Sequence, residues 1–97
     1  MAEVELSSAA RADLVEIDDF GEEQHGRAIA DAYAFGFDEA FDRLASFPNS
    51  GQAYPELGQG IRCIVHRKHR IFYTFNDDLV FIVRIIHHAQ DARRALN

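Results

Sequence analysis

Ninety-seven residues, 47% hydrophobic and 27% charged, make a single globular domain: the chain is too short for a second core and too apolar for disorder. The lone cysteine, Cys63, excludes an internal disulfide and a cysteine-based zinc cluster, and it suits a reducing cytoplasm. Net charge is −6, unevenly spread. Residues 1–60 carry three bases against thirteen acids (−10), whereas residues 61–97 carry seven against three (+4) together with four of the five histidines. This asymmetry predicts either a surface that meets an anionic partner or acidic helices packed beside a basic sheet.

The opening MAEVELSS has Glu3 and Glu5 where an export signal needs positive charge and then an apolar run. The longest apolar run, Leu79–Val83, is too short to span a bilayer. The expected location is therefore cytoplasmic, with no membrane contact.

Val4–Leu6 reads as a short strand, after which Ser7 is placed to cap a helix. Ala10, Leu14 and Ile17 share one face of that helix, which is expected to end near Phe20–Gly21, with Asp13, Glu16, Asp18 and Asp19 on the solvent faces. A second helix starts between Glu22 and Gly26 and buries Ile29, Tyr33, Gly36, Phe37, Ala40, Leu44 and Phe47. Phe35 and Phe41 fall off that stripe. They either pack on the first helix or, with Ala34, line an exposed groove for a partner's helix.

Pro48-Asn49-Ser50-Gly51 stops the second helix, and the composition through Gly60 predicts loop. Strands follow at Ile61–Val65, Arg70–Phe75 and Leu79–His87, with Asn76-Asp77-Asp78 as a tight turn and a last short helix at Asp91–Leu96. Cys63 alternates in phase with Ile61 and Val65 and is expected in the core. The order β-α-α-β-β-β-α predicts an α+β fold, a helical hairpin packed on a small twisted, mainly antiparallel sheet.

Arg62, Arg67, Lys68, Arg70, Arg84, Arg93 and Arg94 read as a binding surface. Arg84 lies within a strand so apolar that it must pair internally or reach a partner. His66, His69, His87 and His88 are not expected to hold a metal, because His87 and His88 as strand neighbours point to opposite faces.

Four segments in order, LSSAARADL, LASFPNSGQAYPEL, GQGIRCIVHRKHRIFYTF and IVRIIHHAQDARRAL, resemble the ParE/RelE toxin superfamily, the ParE branch most closely. The resemblance covers essentially the whole chain and implies the toxin of a type II toxin–antitoxin system, as used in plasmid stabilisation. Such a toxin is neutralised in a hetero-oligomer by a ParD-like antitoxin, through which alone it reaches operator DNA. ParE toxins are associated with DNA gyrase, while RelE-like relatives cut mRNA on the ribosome. Departures from the family pattern are His69, where many relatives have tyrosine, and His88, where many have glycine.

A RelE-like endonuclease shares base, acid and transition-state stabilisation among a glutamate, an arginine and a histidine. Their counterparts here are Glu56, Arg70 and His87. A net charge of −6, one lysine and no tyrosine after Tyr73 weigh against an RNA-binding enzyme. The favoured reading is thus a non-enzymatic gyrase inhibitor without cofactor. It contacts its target through Arg62, Arg67, Arg70, Arg84 and His87, and its antitoxin through Ala34, Phe35, Phe41, Arg62 and Arg84. An inactive remnant that still binds its partner is a third reading.

Overall fold

Extended backbone at Ser7 ends strand β1 (Glu3–Leu6), and its hydroxyl, accepting from the Ala10 N–H, starts helix α1 (Ser8–His25). All residues 1–97 are described in a computed structural model. Helix α1 passes Gly21, where a breaker was expected, because the residue serves close approach: a Cβ there would stand 3.4 Å from the Cβ of Ala30 on the facing helix. The break comes at Gly26, whose φ of 87° is open to glycine at little cost. This residue alone links α1 to helix α2 (Arg27–Ser46).

The following loop contains two short elements that composition did not reveal, strand β2 (Gln52–Ala53) and a 3-10 turn at Pro55–Leu57. Strands β3 (Arg62–His66), β4 (His69–Asn76) and β5 (Leu79–His87) come next, and helix α3 (Ala92–Leu96) closes the chain. Asp77 and Asp78 both adopt positive φ, as the two central residues of a tight right-twisted hairpin must.

The sheet is five-stranded and mixed, in the order β1-β5-β4-β3-β2. Only β1 runs parallel to its neighbour, pairing Glu3–Leu6 with Leu79–Ile82. The helical hairpin covers one face, where Ala10, Phe37, Ala40 and Leu44 meet Ile71, Tyr73, Val80, Ile82 and Ile85. A second cluster fills the opposite face, where Ile61, Cys63, Phe72, Ile86 and Ala92 lie under α3 and the 3-10 turn. Burial pushes the Cys63 thiol up to about 11, so it is an inert packing group. Its strand companion Val65 is 60% exposed.

Two members of the predicted core stripe are likewise outside. Ile29 and Phe47 are 57% and 67% exposed, since the α2 residues packed on the sheet, Phe37, Ala40 and Leu44, lie between them. Phe41 packs against the core beside Phe37, and Phe35 stands in solvent.

Candidate functional site: a cationic end of the sheet

Seven basic side chains of the C-terminal part were expected to form a surface, and the structure divides them. Arg84 is taken internally. Its Nε and one terminal nitrogen each donate to Asp13 at 2.8 Å, and the other donates to the Ala95 carbonyl at 2.6 Å. The carboxylate holds the guanidinium further above its usual range. Asp13 also accepts the Ile85 N–H at 2.9 Å. The reason lies in topology: β1 pairs with β5 only as far as Ile82, so the β5 edge beyond it needs a side-chain acceptor. Sequence periodicity put Asp13 on a solvent face, yet it is buried. Its place three residues after Ala10, beside the apolar stripe, was the available signal.

The other six, Arg62, Arg67, Lys68, Arg70, Arg93 and Arg94, have no carboxylate partner. Arg62 donates to the carbonyls of Asn49 and Gly51 and so fastens the preceding loop to β3. Arg70 stacks over the Phe72 ring at 5.3 Å and donates to the Gln90 carbonyl at 2.6 Å, while its Nε is buried without an acceptor. Arg67, at φ 51°, and Lys68 form the exposed β3–β4 turn. The His88 N–H donates to the Lys68 carbonyl at 2.8 Å, which brings the turn after β5 alongside. The result is an end of the sheet that carries the cations Arg67, Lys68 and Arg70, with the rings of His87 and His88 beside them.

The nuclease triplet does not assemble. Arg70 pairs with Ile86 across β4 and β5, while His87 pairs with His69 one step on, so their side chains leave opposite faces of the sheet. Glu56 is exposed on the 3-10 turn and makes no hydrogen bond or ion pair with either. His87 Nδ1 accepts the Ala89 N–H at 3.1 Å. His88 lies past the strand end, so the two rings do not point apart as expected: their centroids are 4.4 Å from each other.

On the helix-facing side of this end, Tyr33 reaches down from α2 to His66 and His69. The Tyr33 hydroxyl stands 2.7 Å from His69 Nδ1, and His66 Nε2 donates to the Tyr33 carbonyl at 3.1 Å. The approach depends on Gly36, where a Cβ would fall 2.2 Å from the His66 ring. Gly36→Ala should therefore expel His66 and cost about 1–3 kcal/mol, read as a lower urea midpoint; an unchanged midpoint would show that the ring is free to move aside.

Burial lowers the His69 imidazole from 6.5 to about 4, with repulsion from His87, His66 and His88 adding to it. Between those values the unfolded chain takes up a proton that the folded chain refuses, so stability falls as pH drops from 6.5 towards 4 and is insensitive to this group above 6.5. With the discount due to a partly solvated ring, the expected loss is about 1–2 kcal/mol. Urea titrations at several pH values check it, and His69→Gln should flatten the dependence.

Comparison with known proteins agrees with this architecture. The family described as the ParE toxin of the type II toxin–antitoxin system, parDE, matches residues 4–92. The chain belongs to the ParE toxin family. Toxin ParE1 of Mycobacterium tuberculosis is 34% identical over 92 residues, 94% of each chain. Toxin ParE1 of Caulobacter vibrioides is 32% identical over 91 residues, again 94% of each. Among solved structures, a chain of the chromosomal ParDE system from P. aeruginosa superposes with a TM-score of 0.77 at 22% identity, covering 90% of this chain and 96% of that one. In this chain the ParE fold is an acidic helical hairpin laid on a mixed sheet with a cationic end. No helix is long and apolar enough to cross a membrane.

Proposed function

We propose that this ParE-family chain acts by binding DNA gyrase in the cytoplasm and is held inactive by a ParD-like antitoxin in a hetero-oligomer. The observation that carries the reading is the set of basic side chains left without carboxylate partners at one end of the sheet. Unpaired cations on a rigid sheet favour docking on an acidic protein surface through charge complementarity. The target contacts are assigned to Arg67, Arg70 and His87, with Lys68 beside them and Arg62 at the neighbouring strand. Arg84 is left out, because Asp13 occupies its guanidinium.

The antitoxin is assigned to Ala34 and Phe35 on the open side of α2, with the half-buried edge of Phe41 and the Arg62 head as flanking contacts. Phe35, 62% exposed, is the anchor of that contact. Operator DNA is met only through the antitoxin.

Expression without antitoxin should give filamented cells with DNA damage, and the purified chain should inhibit gyrase supercoiling. Absence of inhibition at any concentration removes gyrase as the target. Arrest of translation with cleaved messages, abolished by Arg70→Ala or His87→Ala, would favour the endonuclease instead. A chain that binds its antitoxin but harms nothing would be a remnant.

A further inference from the structure

Beside the bond from His66 Nε2 to the Tyr33 carbonyl, the Tyr33 hydroxyl ties the β3–β4 turn itself to α2. The Tyr33 oxygen lies 2.7 Å from His69 Nδ1, accepts the Lys68 N–H at 3.3 Å and is 3.5 Å from the His66 carbonyl. A phenol has a single proton to give. With His69 neutral and its proton on Nε2, the phenol proton goes to Nδ1, the nearest acceptor, and a lone pair remains for Lys68. A protonated His69 carries N–H on both ring nitrogens, so Nδ1 changes from acceptor to donor. The phenol proton must then turn to the only other acceptor in reach, the His66 carbonyl, while two donors converge on the phenol oxygen.

The new charge has unfavourable company. His66 faces it from β3, His87 from β5, His88 from the following turn, and Arg67 and Lys68 stand beside it in its own hairpin. From α2 it meets the rings of Tyr33 and Phe37. The carboxylate that acts on it, Asp13 of α1, is already committed to Arg84.

We propose that the Tyr33–His69–Lys68 triangle is a proton-operated catch: neutral His69 closes the β3–β4 turn onto α2, and a proton taken from solvent opens it. An opened turn exposes His69, which then titrates near the ordinary histidine value while the closed form resists protonation to about 4. Between those limits each unit of acidification raises the open population about tenfold. The catch is a property of the free chain. Its consequence for the target, a looser and more cationic Arg67–Lys68 tip, rests on the reading under Proposed function.

Amide exchange on the free chain tests it, read at Lys68 from pH 7 to pH 4.5 and corrected for the intrinsic rate. The expected result is protection of Lys68 that falls about tenfold per unit below pH 6, while the core amide of Ile82 stays protected. His69→Gln keeps an acceptor for Tyr33 but cannot titrate, so its Lys68 protection should be flat with pH. Equal protection of Lys68 across the range in the unmodified chain, or the same slope in His69→Gln, overturns the proposal. Should the glutamine variant not fold, the ring titration of His69 in the unmodified chain decides: a single midpoint at the ordinary value with unaltered Lys68 exchange is equally fatal. Neither measurement involves gyrase or antitoxin, so failure here is distinct from failure of the target assignment.

Discussion

Asp13→Ala is expected to lower the stability of the folded chain by about 3–5 kcal/mol, seen as a large drop in the urea midpoint. The carboxylate accepts three hydrogen bonds, two from Arg84 and one from the Ile85 N–H. Asp13 is 9% exposed and the Arg84 side chain 25%, so water replaces little of what is lost. Removing one partner strands a half-buried guanidinium and an uncovered backbone donor at the β5 edge. It also frees the arginine that holds the Ala95 carbonyl, so α3 should fray first.

A domain of this size has about 5–15 kcal/mol in total, and the variant should be partly unfolded at 37 °C. The double change Asp13→Leu with Arg84→Met removes both charges and should recover much of the loss. A single-variant effect under about 1 kcal/mol would mean that the pair behaves as an ordinary solvent-screened bridge.

Charge reversal at the exposed tip is the second large effect. Arg67→Glu with Lys68→Glu should raise the concentration needed to inhibit gyrase about a hundredfold and relieve growth arrest in cells lacking the antitoxin. Both side chains are exposed, and neither makes a side-chain hydrogen bond or ion pair within the chain. Circular dichroism and the melting temperature should therefore stay the same, which separates lost contact from lost fold. Arg11→Glu, an equal kind of reversal on exposed α1, is the control and should leave inhibition intact. If reversal at the tip leaves inhibition untouched, the cationic end is not where the target docks.

Much of the architecture was legible because local physics dictated it. Ser7 and Asp91 both accept backbone N–H groups at helix starts, and the spacing Ala10, Leu14, Ile17 has only one helical meaning. The alternation Ile71, Tyr73, Phe75 gives the helix-facing side of β4 directly. Gly21 reads as a helix end because a helix-breaking residue and a close-contact residue look alike until the facing Ala30 is in place. Ile29 and Phe47 fit the periodicity of a buried stripe, but periodicity says which face a residue occupies and not how far the sheet beneath it extends.

The site was legible only in its chemistry. Composition along the chain separated an acidic half from a basic one, and that alone set the helical layer against the cationic sheet. Four ordered segments were enough to suggest the family. What needed the tertiary structure was the partnership of each charge. Asp13 and Arg84 are 71 residues apart, and their pairing follows from where β1 stops along β5. Arg70 and His87 part company through strand register, and Tyr33 meets His69 because Gly36 admits the His66 ring. Local preference and pattern act over a few residues and are written in the chain; which cations are neutralised depends on long-range geometry, and that geometry decides what surface remains for another molecule.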